Sequence, residues 1–343
     1  MHTSRAGLCL ARAPIGACRG AKPLCRGLGV SPSLSYSSPM SGGQGVDVGS
    51  QLPNLQQRSN MALREIRADE ITRAVDRMCQ EANFFLPEDV LDAIKKAVGT
   101  EESPLGKATL EKILDNAAIS AKERVPLCQD CGLAVILVKL GQDVHVTGGG
   151  LNAAIEEGVK KGYADGYLRK SMAQHPFSSR TNTKTNCPAV IHTEIVPGDK
   201  LTIVLMPKGG GSENMSRLAM LSPSQGRQGV INTVVKAVDE AGSNPCPPVI
   251  VGVGIGGTAE KASLLAKEAL LRPLGQPNAD PEVADLEKEL FQKVNSLGIG
   301  PQGFGGSTTA LAVHAEVFPA HIASLPVAVN ILCHSARHKE VTL

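Results

Sequence analysis

The scarcity of aromatic residues constrains this chain most. Only 3% of its 343 residues are aromatic and none is Trp, while 36 are Gly. A core without large rings has to be filled by Ala, Val, Ile and Leu, and that requires backbones to approach each other closely, which glycine permits. The material for such a core is present: 42% of residues are hydrophobic and 20% charged, the balance of a globular chain. No run approaches the roughly 18 apolar residues that would span a bilayer, so a membrane partner is not expected.

Charge divides the chain unevenly. Arg5, Arg12, Arg19, Lys22 and Arg26 fall in a stretch of 46 residues with no Asp or Glu. Without those five, 30 basic residues face 33 acidic ones, and the formal +2 of the whole becomes −3 for the rest. An acid-free, Arg- and Ser-rich leader resembles an organellar transit peptide, and it lacks the unbroken apolar stretch of a secretory signal. Residues 41–60 are polar and Gly-rich and read as a linker. Residues 1–60 are therefore expected to be a targeting leader and linker, addressed to a mitochondrion or related organelle. The alternative is a plain tail, or translation starting at Met61, with the protein in the cytoplasm. Residues 61–343 are expected to be one catalytic domain. With no basic body, nucleic acid is not an expected partner.

Hydrophobic spacing orders that domain. Helical periodicity runs through 59–98, with a break at Pro87, and again through 100–124, 151–171, 229–241, 259–271 and 280–297. Short apolar runs at 133–140, 189–196, 200–206, 248–253, 311–316 and 326–331 read as strands. Pro197-Gly198-Asp199 between two of them suggests a hairpin-like turn. The expected fold class is mixed α/β (α+β): a helical N-terminal part packed on a mixed sheet body whose loops converge on a site.

Six cysteines follow the leader, too widely spaced for a secreted disulfide scaffold. Cys128 lies in PLCQDCG at 126–132, Cys246 in NPCPP at 244–248 and Cys333 in LCHSAR at 332–337, each in a loop next to a strand. Three thiols from three loops can hold a metal centre with one position left open, although buried structural cysteines are common. Cys128 and Cys131 also have the spacing of a redox pair, but a strand rather than a helix follows them. The sequence GVGIGG at 252–257 is a literal GxGxxG, yet the acid expected at the end of the next strand is missing, so glycines serving a tight turn are favoured over NAD. KGGGSEN at 208–214 offers adjacent backbone N–H groups suited to a carboxylate or phosphate.

Taken together, PLCQDCG (126–132), GYLRKS (166–171), NCPAVIHTEIVPGDKL (186–201), PKGGGSENMS (207–216), NPCPPVIVGVGIGG (244–257), GIGPQGFGG (298–306) and LPVAVNILCHSARHKE (325–340) resemble the α subunit of class I iron–sulfur fumarate hydratases and the related L-tartrate dehydratases. The resemblance runs in order from about residue 61 to 343. It implies a 4Fe–4S cluster held by Cys128, Cys246 and Cys333, with the fourth iron open to substrate as a Lewis acid. It implies Gln129, Asp130, Arg169 and Gly210 as substrate contacts, with Asp130 as catalytic acid and His321 as a catalytic partner that relays protons to it. Cys131 and Cys187 stand where the relatives mostly carry Thr and are left outside the ligand set.

The implied activity is that of a hydro-lyase, a carbon–oxygen lyase: hydration of fumarate to L-malate, with dehydration of L-tartrate to oxaloacetate as the alternative. A thiol redox or metal-binding protein built on Cys128 and Cys131 is the remote one. The substrate is a small dicarboxylate. Since the relatives draw further cations and the carbon base from a β region, the resemblance also implies a separate β subunit in an α2β2-like assembly.

Overall fold

The computed structural model describes residues 63–343; the leader and linker expected over 1–60 lie outside the described residues. Within it, β1 (Arg64–Arg67) leads into three helices, α1 (Ala68–Phe84), α2 (Glu88–Thr100) and α3 (Pro104–Glu123). The strand β2 (Leu133–Gly141), the strand β3 (Val144–Thr147), the helix α4 (Leu151–Asp165) and the strands β4 (Val190–Val196) and β5 (Leu201–Lys208) follow. Then come the single turn α5 (Gly210–Glu213), β6 (Arg217–Leu221), α6 (Gly226–Ala241), β7 (Val249–Gly256), α7 (Ala259–Ala269) and α8 (Pro281–Asn295). The chain closes with β8 (Ala310–Phe318), β9 (Leu325–Leu332) and β10 (Lys339–Thr342). The mixed α/β class is the observed one.

Local chemistry explains where the helices begin. Ser103 caps α3 by accepting the Gly106 N–H at 3.2 Å, with Pro104 at the first helical position, where its missing N–H is not needed. Asp280 and Pro281 start α8 in the same way, with the Glu282 N–H at 2.9 Å from the Asp280 carboxylate. The helix expected over 151–171 ends early. After Asp165, Gly166 and Tyr167 (φ 51°) reverse the chain, and residues 166–189 run irregularly towards the site.

The strands form two four-stranded mixed sheets and a small parallel pair, β1 with β3. The first sheet has the order β10-β5-β2-β4. The turn at Pro197-Gly198-Asp199 therefore does not close a hairpin. β2 lies between β4 and β5, parallel to one and antiparallel to the other. The turn bridges over the end of β2, where the Gly141 N–H donates to the Lys200 carbonyl and the Asp143 N–H to the Gly198 carbonyl, at 2.8 and 3.0 Å. The reason is burial. β2 is the more apolar strand and takes the centre, which leaves β4 at the edge with Val190 and Ile195 exposed.

The second sheet has the order β6-β9-β7-β8, and every residue of β7 is buried. Gly252 and Gly254 sit inside this strand rather than in a phosphate-binding turn. A methyl group on either would overlap the main-chain carbonyl of Ala266 or Ala262 in α7, which lies directly on the strand. The GxGxxG pattern is thus a packing device, and the same holds for Gly158 and Gly162 of α4. Added carbons there would come within 2.7 Å of Val75 and 2.6 Å of the Asp76 carbonyl in α1.

Each sheet has its own apolar layer, one with α1 and α4 and the other with α6 and α8. A third joins them: Ile94 of α2 and Leu110 of α3 pack with Val135 and Met206 of the first sheet and Ile250 and Leu332 of the second. Each such buried side chain contributes about 1.5–3 kcal/mol. That shared layer holds the two sheets in one register, so the loops at their adjoining ends meet.

Gly254→Ala tests the close approach of α7. Overpacking against a fixed carbonyl is expected to destabilise the fold by about 1–3 kcal/mol, read as a lower urea midpoint. An unchanged midpoint would show that α7 is free to retreat.

Candidate active site

Four loops meet at one end of the two sheets. Residues 125–132 enter β2 and residues 209–216 leave β5; residues 242–248 enter β7 and residues 333–338 leave β9. Antiparallel pairing puts the start of β2 beside the end of β5 (Leu133 opposite Lys208) and the start of β7 beside the end of β9 (Ile250 opposite Leu332). Cys128, Cys246 and Cys333 each lie in one of these loops, and all three are free thiols.

Cross-loop bonds tie the arrangement together. The His334 N–H donates to the Cys246 carbonyl at 3.2 Å, which fixes the two cysteine loops of the second sheet against each other. Gln302 reaches the same junction, its amide nitrogen 3.0 Å from His334 Nδ1 and 2.9 Å from the Pro247 carbonyl. Cys246 itself is exposed and holds a left-handed backbone (φ 56°). Burial pushes the Cys246 thiol up, and negative charge on Cys333 and then on Cys128 pushes it further. The three sulfurs are thus near enough to feel one another.

Asp130 is the most tightly held polar group here. Its Oδ1 accepts the Gly132 N–H at 2.9 Å and its Oδ2 the Gly210 N–H at 2.7 Å. Its main-chain carbonyl accepts a hydrogen bond from Arg337 Nη2. The glycine nest after β5 therefore does hold a carboxylate, and it is the protein's own. Gly132 is required in its place: its φ is 73° and an added carbon would fall 2.7 Å from the Lys208 nitrogen. Gln129, exposed beside Asp130, accepts from the Cys128 thiol at 3.2 Å. The Arg169 guanidinium is solvent-exposed, while its backbone N–H donates to Cys131 Sγ at 3.2 Å, which carries the irregular segment after α4 to the rim of the site.

Cys131 belongs to the apolar layer under the first sheet and is 1% exposed. Burial raises its thiol. A redox pair needs an accessible thiol with a lowered pKa, so the geometry disfavours the CxxC reading. Cys187 is likewise pushed up to about 12, chiefly by burial.

His321 is not brought to these groups. It lies in the exposed loop between β8 and β9, at the opposite end of the second sheet, with Nδ1 accepting the Ala323 N–H at 3.1 Å. The eight residues of β7 separate that end from the cysteines, about 26 Å at the usual strand rise. The expected relay from His321 to Asp130 therefore does not form within this chain. The reason is topological: the loop carrying His321 enters β9, and the loop carrying Cys333 leaves it.

Of two cationic residues at the site, Arg337 escaped the sequence reading, and Lys208 entered it only as the lysine of the KGGGSEN anion nest. Arg337 is 1% exposed and Lys208 fully buried. Lys208 Nζ bonds Ser212 Oγ at 2.9 Å and pairs with Glu213 at 3.2 Å, and Glu213 also holds Lys267 at 2.6 Å and Asn330 at 3.2 Å. Burial pulls the Lys208 amine down to about 8, against the opposing attraction of Glu213. The signal was present in both cases: a lysine ending an apolar strand, and an arginine four residues after Cys333.

The donor set fits an iron–sulfur cluster. Three thiols are soft ligands suited to iron–sulfur iron, and a buried guanidinium with two unpartnered nitrogens lies among them. Among the described residues no set of His, Cys, Asp or Glu is gathered tightly enough for a single metal ion. A multi-iron cluster would take one thiolate per iron, so its cysteines need not converge on a single point.

Two mixed sheets thus bring loops with three thiols, a clamped carboxylate and buried cations to their adjoining ends. The chain belongs to the family described as Fumarate hydratase (Fumerase), whose sequence model matches residues 72–342. It is 43% identical over 273 residues to a Methanocaldococcus jannaschii protein provisionally named L(+)-tartrate dehydratase subunit alpha, covering 78% of this chain and 95% of that one. It is 31% identical over 271 residues to the L(+)-tartrate dehydratase subunit alpha of Escherichia coli K12 and to that of Shigella boydii, covering 78% of this chain and 89% of each relative. Among the described residues no helix is long and apolar enough to cross a membrane.

Glu213→Gln tests the Lys208 network. Removing one partner of a buried pair is expected to cost about 3 kcal/mol near neutral pH. The variant's amine should lose its proton at lower pH than the wild-type amine. The unfolded chain still holds that proton, so the variant gains stability as pH rises and the deficit narrows towards pH 8 before levelling. Denaturation midpoints across this range check the sign; a flat deficit would remove Lys208 as the group affected.

Proposed function

We propose that this chain is the α subunit of an iron–sulfur hydro-lyase that removes water from L-tartrate, the enol product tautomerising to oxaloacetate. The carrying observation is Asp130, clamped through both carboxylate oxygens in the loop that also presents Cys128. Relatives named for tartrate dehydration favour this substrate over the fumarate expected from sequence. Hydration of fumarate to L-malate is kept as a second reading because the family description names it.

Cys128, Cys246 and Cys333 would hold a 4Fe–4S cluster, which when bound supplies Lewis-acid polarisation of the substrate hydroxyl. Asp130 protonates that hydroxyl as the carbon–oxygen bond breaks, so that water leaves rather than hydroxide. The electron pair of the adjacent C–H bond becomes the new double bond. Arg169, with its exposed fork at the rim, binds a substrate carboxylate through two parallel hydrogen bonds. Gln129, exposed beside Asp130, orients the substrate. Gly210 acts by holding Asp130 towards the substrate. His321 enters no step within this chain. The base that takes the carbon-bound proton is assigned to a separate β subunit in an α2β2-like assembly, consistent with relatives named as α subunits.

The test is co-expression with a β partner, anaerobic reconstitution and parallel assays of L-tartrate and fumarate. L-tartrate is expected to turn over faster, Asp130→Asn to lose about 10²–10⁴-fold in kcat, and Cys131→Thr to keep activity. Faster fumarate hydration would replace the first reading by the second, and full activity of the chain alone would remove the β subunit.

The acid-free leader supports import into a mitochondrion or related organelle. Residues 1–60 fused to a fluorescent reporter should carry it there, and a diffuse reporter would discard the address.

A further inference from the structure

Arg337 is an anomaly as the fold stands. It is 1% exposed, yet only Nη2 has a partner, the Asp130 carbonyl; Nε and Nη1 have none. A bare guanidinium is among the most expensive groups to bury, and a fold keeps one buried only against compensating negative charge. Among the described residues no carboxylate pairs with it.

Its position in the chain explains the placement. Four residues after Cys333, it leaves the second sheet and crosses to the loop of the first sheet that carries Cys128 and Asp130. Lys could supply the charge, but only a planar fork with several donors can bond a carbonyl on one side and other acceptors on the other.

We propose that Arg337 is a positioning residue: Nη2 holds the Asp130 carbonyl while Nε and Nη1 give hydrogen bonds and positive charge to sulfur atoms of the bound cluster. The inference rests on the iron–sulfur reading above. It couples two parts of the site, the carboxylate that moves the proton and the thiol ligands, through one side chain that touches no substrate. Hydrogen bonds and charge delivered to cluster sulfurs tune both retention and reduction potential.

The experiment compares wild type, Arg337→Lys and Arg337→Met in the full chain with its β partner after anaerobic reconstitution. Iron and sulfide content, cluster loss under chelator, reduction potential, kcat and KM are measured. Arg337→Met is expected to lose the cluster about 10- to 100-fold faster and to shift its potential negative, because a cation that favours the reduced form has gone. Arg337→Lys keeps the charge and loses the fork, so its potential shifts less than that of Arg337→Met while kcat falls and KM holds. An Arg337→Met protein that is merely less heat-stable, with wild-type cluster retention and potential, overturns the proposal. If Arg337→Met does not fold, Arg337→Lys decides, and wild-type kcat there overturns it. A wild-type protein that takes up no iron and sulfide fails the iron–sulfur reading itself and takes this inference with it; a cluster-bearing wild type with unaffected variants fails this inference alone.

Discussion

The clamp on Asp130 is the interaction on which the rest of the site depends. Two backbone N–H groups hold its carboxylate and a buried guanidinium holds its carbonyl, and the three donors come from three segments far apart in sequence. Gly132 belongs to the same loop, Gly210 follows β5 of the first sheet, and Arg337 follows β9 of the second. A single residue therefore reports the relative placement of both sheets. The apolar layer shared by α2, α3 and both sheets makes that placement reproducible, because its side chains pack at crystal-like density and resist sliding. A shift of one sheet would break the Arg337 bond and separate Cys128 from Cys246 and Cys333 together.

Glycine makes this architecture possible in two distinct ways. At Gly252, Gly254, Gly158 and Gly162 the missing side chain lets a helix lie against a strand or another helix at main-chain distance. That is how a core poor in aromatics reaches density: backbone fills the volume that rings would occupy. At Gly132 the requirement is conformational as well as steric, since the left-handed turn delivers its N–H to Asp130. The two uses look alike in sequence. GVGIGG resembles a dinucleotide turn until β7 is seen to run through most of it.

Much of the fold was legible because periodicity reports burial, and burial organises this fold. The apolar run at 133–140 and the helical stripes of α1, α6 and α8 are all where spacing put them. Short strands were not legible: β3, β6 and β10, four or five residues each, are half exposed and carry no clear alternation. Nor was strand order, because the turn at Pro197-Gly198-Asp199 has hairpin chemistry and only the competition for the sheet centre sends β2 between its arms. Within the site, the cysteines and Asp130 stood out by residue type, and the loops that carry them lie at the adjoining ends of the two sheets. Arg337 did not stand out, because a charged residue in an apolar context reads as a surface group until its burial is known, and Lys208 stood out as part of an anion nest rather than as a buried partner of Glu213. His321 shows the opposite failure. A motif placed it in the site, and the direction of β9 places it at the other end of the sheet.

Charge gives the arrangement its logic. The chain beyond the leader is net negative, which by itself would repel a dicarboxylate. The fold answers locally by separating two kinds of cation. Arg169 is left exposed at the rim. Arg337 and Lys208 are buried behind the loops, where they cannot meet substrate and act instead on protein groups: the Asp130 carbonyl, and Glu213 with the α5 turn. Lys208 in turn anchors the segment that carries Gly210 through Ser212, so the two buried cations brace Asp130 from two sides, Arg337 at its main-chain carbonyl and Lys208 through the turn whose Gly210 N–H meets its carboxylate. The position of Asp130 is therefore set from both sheets, and a carboxylate held this way is presented to the site at one defined point.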